Sequence, residues 1–315
     1  MKYLVTGGAG FIGSHIVEAL LERGDKVVVL DNLSTGRREN LDGFEAQPEW
    51  AARLEFVEGS IEDLGLLKRI FEGVDYVIHQ AAKISVPESV ENPLAFHEAN
   101  VTGSLNVFLA ARDAGVKRVV YASSSAVYGD LSPGLAKRED MPLDTLSPYA
   151  SNKFFEEEYG RLFTRLYGLE TVGLRYFNVF GSRQDPNSAY AAVIPKFVTS
   201  ALQGGEARIY GDGEQSRDFV HVKNVAAANL LACEAAGVAG EVFNVASGKT
   251  VTVVELLDAI EAAAGSKAQR FFDPPREGDI KFSSADISKI RAGLGYEPHV
   301  NFEEGLRETI EWYAR

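Results

Sequence analysis

Residues 2 to 31 hold a pattern that few folds accommodate. The apolar run KYLVT (2–6) leads straight into GGAGFIG (7–13), and the residues that follow, SHIVEALLER, carry apolar side chains at helical spacing. The next apolar run, KVVVL (26–30), ends against Asp31. Gly7, Gly10 and Gly13 stand three apart, and Asp31 comes 18 residues after the last of them. Glycine is needed where a chain turns tightly and where backbone must approach a pyrophosphate. A helix opening at such a turn offers unpaired N–H groups and the positive end of its dipole to phosphate. A carboxylate ending the second strand accepts hydrogen bonds from both hydroxyls of a ribose and repels a 2′-phosphate. The pattern therefore favours NAD over NADP, and Arg37 and Arg38 only weakly reopen the second option. Three glycines alone arise by chance. Strand, glycines, helix, strand and acid in that order rarely do.

The same alternation continues. LEFVEG (54–59), DYVIHQ (75–80) and VKRVVYAS (116–123) read as buried strands, with helical stretches at 61–73 and 91–115 between them. Strands alternating with helices imply βαβ units and a parallel sheet. Right-handed crossovers then give an α/β, doubly wound Rossmann sheet. A long helix is expected over 147–167, with Ser147-Pro148 as its start, and a strand over ETVGLRYFNVFG (170–181). Beyond that the regularity fades, and 183–220 and 268–301 are rich in Gly, Pro, Asp and Arg. The expected division is a nucleotide-binding domain over 1–176, to which about 218–245 returns, and a smaller C-terminal substrate-binding lobe from most of 177–315. Glu156 to Glu158 read as a solvated helix face.

Composition narrows the partners. A formal net charge of -13 disfavours a nucleic-acid or anionic-membrane surface in bulk. It leaves room for a local basic pocket that takes a phosphorylated small molecule. The single cysteine, Cys233, excludes an intrachain disulfide and fits a reducing compartment. It sits in the helical run NVAAANLLACEAA and reads as packing. MKYLVTGG enters a strand at once, its apolar run is too short for a signal peptide, and no run has the length of a membrane span. A cytoplasmic protein without a metal site is expected.

Two later stretches carry chemistry: ASSSAVYGD (122–130) and SPYASNKFFEEEYG (147–160). Tyr149 and Lys153 are four apart on a helix and share a face. A free tyrosine, with a pKa of about 10, is a poor base at neutral pH. An ammonium one turn away and a positive nicotinamide ring favour its phenolate. Ser124 follows the fifth strand at the sheet edge where ligands bind, and its hydroxyl can bridge substrate and Tyr149. Together they would move a proton at a carbinol while NAD takes the hydride. A Tyr–Lys pair alone is usually a surface pair. Downstream of a nucleotide fingerprint the catalytic reading leads.

With these residues in view, the chain resembles the extended short-chain dehydrogenase/reductases, and among them the NAD-dependent sugar-nucleotide epimerases. TGGAGFIGSH, HQAA, SSSAVYGD, YASNK, LRYFNVFG, GDGEQSRDFVHV and REGD fall in family order over essentially the whole chain. The resemblance implies that Gly7, Gly10, Phe11, Ile12, Gly13 and Asp31 hold NAD, with Asn32, Ser60 and Ile61 at its adenosine half. It implies that Gln80, Ala81, Ala82, Asn100, Tyr149, Lys153 and Tyr176 line the rest of that site. It makes Arg217 and Arg276 the diphosphate-binding arginines, Asn178 a diphosphate contact and Asp279 the acid holding the nucleotide's ribose. Tyr210 stands near the uracil-packing position, and core packing is an equal reading of it.

Relatives that dehydrate or decarboxylate the sugar carry acids just after the catalytic Ser or Thr. Here those positions are Ser125 and Ala126, which leaves 4-epimerisation of a UDP-hexose. RYFNVFGSRQDPNSAYAAVIPKF (175–197) resembles epimerases that accept N-acetylated UDP-hexoses. Ser283 aligns with a gatekeeper that is tyrosine in relatives restricted to UDP-glucose and UDP-galactose. Ala192 is likewise small, Val193 adjoins it, and Gln184 can hydrogen-bond sugar substituents. Ile84 departs from acetamido-preferring relatives, which can have glycine there, so both sugar classes are expected. A UDP-uronate 4-epimerase, with Lys83 as the cation near C6, is a second reading. A catalytically silent NAD-binding regulator is a third, which the intact triad disfavours. The resemblance also implies a homodimer through helices 92–114 and 148–167.

Overall fold

A computed structural model describes residues 1–130, 134–186, 193–275 and 281–315. Its centre is a seven-stranded sheet in the order Val242–Val245, Glu170–Tyr176, Arg118–Ser124, Tyr76–His79, Lys2–Thr6, Lys26–Asp31, Leu54–Glu58. Every neighbouring pair is parallel. Side chains alternate between the two faces, as the strand period demands. Leu4, Val28, Val77 and Val119 enter one core cluster with Leu67, Val107 and Phe108 from helices Leu64–Ile70 and Gly103–Ala114. Val5, Val29, Ile78 and Val120 enter another with Ile16 and Leu20 from helix Phe11–Glu22, and with Val225 and Ala228 from helix Val222–Glu234. Both faces are covered, so the strands read as near-continuous apolar runs.

The chain starts at a central strand, winds out to Leu54–Glu58, then crosses to Tyr76–His79 on the other side. The switch point therefore lies between Lys2–Thr6 and Tyr76–His79, where a doubly wound sheet leaves a crevice at its C-terminal edge. Gly7 and Gln80 stand at its two lips. A third cluster, from Phe180, Ile194, Phe197, Ile209, Phe219, Leu257, Ile260 and Ile310, forms a smaller core of its own. Among the described residues, no helix is long and apolar enough to cross a membrane.

Three expectations change. The strand expected over 170–181 ends at Tyr176: the Phe177 N–H donates to Val245 O at 3.1 Å, whereas that of Asn178 donates to Asp218 O at 3.2 Å. Asn178–Phe180 then pairs with Phe219–His221 in a separate two-stranded sheet. The helix expected over 91–115 holds a π-helical segment, His97–Thr102, between Pro93–Phe96 and Gly103–Ala114. Such widened turns favour functional sites, and Asn100 lies in this one.

The third change is a correction. Glu156 and Glu157 do not face solvent: they are only 1% and 6% exposed. Helix Pro148–Tyr167, capped by Ser147 through its bond from the Ala150 N–H, turns both acids inward onto the sheet. There Arg175 forks onto Glu157 at 2.8 and 2.6 Å, and Lys153 meets Glu156 at 2.7 Å. Cationic partners make the buried charges tolerable.

Candidate active site

The glycine turn is a close-packed cradle. Gly7 has φ +69°, and a Cβ there would stand 2.7 Å from Ala81 N. A Cβ on Gly13 would come within 2.1 Å of Gly7 O. Gly10 caps helix Phe11–Glu22 without a side-chain bond, and no acid occupies its first turn. The helix's positive end is therefore left for an anion. Asp31 sits nearby and is buried. Its Oδ2 accepts from the Ala9 N–H at 3.0 Å and its Oδ1 from the Leu33 N–H at 2.9 Å. Burial pushes its carboxyl up, against these two bonds. Arg37 pairs with Asp185 and Arg38 with Glu45, so both guanidiniums already have acid partners.

One cavity of about 610 Å³ gathers most of the residues expected at the cofactor. Gly7, Gly10, Phe11, Ile12, Gly13, Asp31, Asn32, Ser60, Ile61, Gln80, Ala81, Ala82 and Tyr176 line it, and so do Ser124, Tyr149 and Lys153. Its size suits a cofactor site. The Gln80 amide donates to Tyr176 Oη at 3.0 Å and to Asn229 Oδ1 at 3.2 Å, which ties two of these groups to helix Val222–Glu234. Asn100 does not line the cavity. It is fully buried and clamps the Lys83 backbone, accepting from its N–H and donating to its carbonyl, both at 2.8 Å. These residues fit NAD: a backbone cradle no side chain could share, an uncapped helix start and a ribose-ready carboxylate.

Ser124 ends strand Arg118–Ser124, and its Oγ accepts from the Ala126 N–H at 3.1 Å. Tyr149 follows the Ser147 cap, and its N–H is held by Ser89 Oγ at 3.2 Å. Lys153 Nζ donates to Ala122 O at 2.8 Å and to Glu156 Oε2 at 2.7 Å. Glu156 Oε1 accepts from Ser104 Oγ at 2.6 Å, and His79 Nε2 lies 3.4 Å from it. Burial alone would raise the Glu156 carboxyl. The Lys153 ammonium and the His79 hydrogen bond outweigh it and hold the group below the usual carboxylate range.

A second cavity adjoins the first and shares Asn178 and Val179 with it. Val193, Tyr210 and Arg217 line it. Arg217 Nη1 donates to Ser216 O at 2.9 Å. Ser283 stands beside Arg217 in parallel register, and its carbonyl accepts from the Asp218 N–H at 2.8 Å. Gln184 lines neither cavity; its Nε2 donates to Val179 O at 3.5 Å. Lys83 lies 4.0 Å from Glu88 and over the Phe96 ring. Ala192, Arg276 and Asp279 lie outside the described residues.

Sequence reasoning missed His79, Ser89, Ser104, Glu156 and Asn229. One signal was available: Glu156 is three residues after Lys153 and seven after Tyr149, so all three share a helix face. The others meet the site only through the fold.

The fold and the shared cavity place the protein among dinucleotide-binding α/β enzymes. Comparison with known proteins narrows that class. The model of the NAD dependent epimerase/dehydratase family matches residues 3–246, and the chain belongs to this family, with NAD as its cofactor. It is 42% identical to a putative UDP-glucose 4-epimerase of Methanocaldococcus jannaschii, over 98% of this chain and 97% of that one. It is 41% identical to the UDP-glucose 4-epimerase of Mycolicibacterium smegmatis, over 99% and 98%. The structure of a UDP-N-acetylglucosamine 4-epimerase from Methanobrevibacter ruminantium, in complex with UDP-N-acetylmuramic acid, superposes with a TM-score of 0.93. That protein is 44% identical, with 99% of this chain and 97% of that one covered.

Proposed function

We propose that the protein is an isomerase, an NAD-dependent UDP-hexose 4-epimerase. It interconverts UDP-GlcNAc with UDP-GalNAc, and UDP-Glc with UDP-Gal, through a 4-keto sugar. One observation carries the choice of reaction. Ser125 and Ala126 follow Ser124 into the cavity, and the acids that line it, Asp31 and Glu62, belong to the edge after the second and third strands. Among the described residues, no lining carboxylate is thus placed beside Ser124 to expel a 6-hydroxyl or assist decarboxylation. The same-named activity of the relatives supports this reading. A UDP-uronate 4-epimerase is the second reading, because Lys83 lines the cavity and meets Glu88 only at 4.0 Å.

In this mechanism Tyr149 Oη takes the proton of the sugar 4-hydroxyl and returns it after the sugar has turned. Lys153 lines the same cavity one helical turn from Tyr149 and keeps one N–H for the groups bound there. Ser124 Oγ hydrogen-bonds the reacting oxygen. The Gly7–Gly13 cradle and Asp31 would hold NAD, which would supply reversible hydride chemistry at C4. Arg217, Arg276 and Asn178 hold the diphosphate, Asp279 the uridine ribose, and Tyr210 packs on uracil. The resemblance makes Val193, Ala192 and Ser283 the border of the sugar, with serine leaving room for a C2 acetamido group, and Gln184, which lines neither cavity, would have to turn from Val179 O to join them.

The nucleotide domain comprises 1–176 and about 218–245, and the rest of 177–315 forms the substrate lobe. A cytoplasmic homodimer acting in nucleotide-sugar metabolism, galactose included, completes the reading. Phe155 and Leu166 lie exposed on helix Pro148–Tyr167 and would be covered in the dimer; a monomer by light scattering would refute that part. The Tyr149→Phe variant tests the mechanism. It should keep its fold and bound NAD yet lose at least about a hundredfold in kcat. Near-normal turnover would remove Tyr149 as the base.

A further inference from the structure

Glu156 is a buried anion that the mechanism above leaves unused. It is 1% exposed and lies on the helix face that carries Tyr149 and Lys153. Two of the three Lys153 ammonium protons are taken, by Ala122 O at 2.8 Å and Glu156 Oε2 at 2.7 Å. One N–H remains for the cavity that Lys153 lines.

The carboxylate is itself held from three sides. Ser104 Oγ, from helix Gly103–Ala114, donates to Oε1 at 2.6 Å. His79, at the end of strand Tyr76–His79, stands with Nε2 2.9 Å from Ser104 Oγ. Its Nδ1 lies 2.6 Å from Thr6 Oγ1, which also accepts from the Ala81 N–H at 3.2 Å. Thr6 directly precedes Gly7. The chain of contacts thus runs from Lys153 through Glu156, Ser104, His79 and Thr6 to both lips of the crevice. Thr6, His79, Ser104 and Glu156 are all 1% exposed or less. An ionised carboxylate so far from water is costly unless fully partnered. Stability alone gives little reason for it, since an apolar side chain facing an apolar wall would cost less.

We propose that Glu156 is a positioning residue. Its carboxylate pins the Lys153 ammonium against Ala122 O, so that the remaining N–H is presented to Tyr149 and to the cofactor in one fixed direction. The Ser104–His79–Thr6 chain ties that direction to the glycine cradle. This rests on the assignment of Tyr149 and Lys153 given above, and it adds a group that acts on the reaction only through Lys153.

The test is a double-mutant cycle on the purified protein, using Glu156→Gln, Lys153→Met and the pair. The readouts are NAD affinity by titration, melting temperature, and kcat and KM with UDP-N-acetylglucosamine. Glu156→Gln should bind NAD about fivefold more weakly. Its kcat should fall roughly tenfold or more while KM changes little, since a misdirected group acts on the transition state. In the double variant NAD affinity should fall no further than in Lys153→Met alone. Its melting temperature should exceed that of Glu156→Gln, because the unpaired buried ammonium is gone. If Glu156→Gln does not fold, the double variant still allows the comparison. Wild-type NAD affinity and kcat in Glu156→Gln would overturn the proposal, and so would NAD-affinity losses that multiply in the double variant. If the wild-type protein converts no UDP-hexose, the epimerase reading fails, and the NAD titration alone decides the role of Glu156.

Discussion

Replacing Gly13 by alanine adds a single methyl group, and the structure leaves no space for it. The new Cβ would lie 2.1 Å from Gly7 O, 2.8 Å from Gly7 C and 2.8 Å from Gly8 Cα. All three are backbone atoms, so no side chain can swing aside. Ordinary contact begins near 3.4 Å. The first turn of helix Phe11–Glu22 and the Gly7–Gly8 turn must therefore separate by more than an ångström at that point. That movement strains the 3.1 Å bond from the Gly10 N–H to Gly7 O and the 2.7 Å bond from the Gly7 N–H to Leu30 O. Overpacking of this kind costs about 1–3 kcal/mol of stability. It also turns the helix-start amides away from the pyrophosphate. Losing two charge-assisted bonds at about 1.5 kcal/mol each would weaken NAD binding by roughly two orders of magnitude. The assay is NAD content per subunit after purification, followed by NAD titration of the stripped protein and a thermal melt. Gly43→Ala is the control: its Cβ meets nothing within 4 Å, and helix propensity makes the change neutral or slightly stabilising. Wild-type NAD content and melting temperature in Gly13→Ala would refute the cradle argument.

Two further outcomes are expected, the first from the proposed role of Ser283 and the second from buried histidines. Ser283→Tyr should depress kcat/KM for UDP-N-acetylglucosamine at least about tenfold more than for UDP-glucose, a difference of roughly 1.4 kcal/mol; equal losses would remove Ser283 as a selector. Acidification should destabilise the fold between pH 6.5 and about 4. Burial, with Arg183 next, lowers His15 to about 3, and burial lowers His221 to about 4. The unfolded chain binds protons that these rings refuse, so the stability of their neutral forms is full above pH 6.5. It is lost as the pH falls, by up to about 1.4 kcal/mol per unit for each ring. Asp31, Glu139 and Asp218, which burial pushes up, act in the opposite sense at the low end. Their effect is common to wild type and His15→Gln, so comparing melts of the two from pH 7 to 4 isolates the histidine. A wild-type slope in His15→Gln would contradict the assignment.

What could be read from the chain was what local rules decide. The 2–31 unit needs only neighbours in sequence: an apolar strand, a turn too tight for side chains, and an acid at the next strand's end. Helix Pro148–Tyr167 was equally plain, because Ser147 caps it and Pro148 suits its first turn. The break after Tyr176 was not legible. Residues 170–181 are mostly apolar or aromatic, with no proline among them, and only the change of partner from Val245 to Asp218, both distant in sequence, ends the strand. The acid run at 156–158 misled for a related reason. A charge run usually faces water, and the cations that bury two of these acids come from Lys153 one turn back and from Arg175 on a neighbouring strand. Spacing places Glu156 on the helix face of Tyr149 and Lys153; it does not tell that His79 and Ser104 wait there. Nor does spacing tell that Asn100, in its π-helical segment, holds the backbone of Lys83, a residue of the cavity wall.

The most direct measurement of the central claim uses purified protein with no NAD added. It is incubated separately with UDP-N-acetylglucosamine and UDP-glucose, and the 4-epimers are resolved by chromatography. The account predicts that both convert, because the cradle retains NAD and the cycle regenerates it. No conversion of either sugar, with or without supplied NAD, would contradict it.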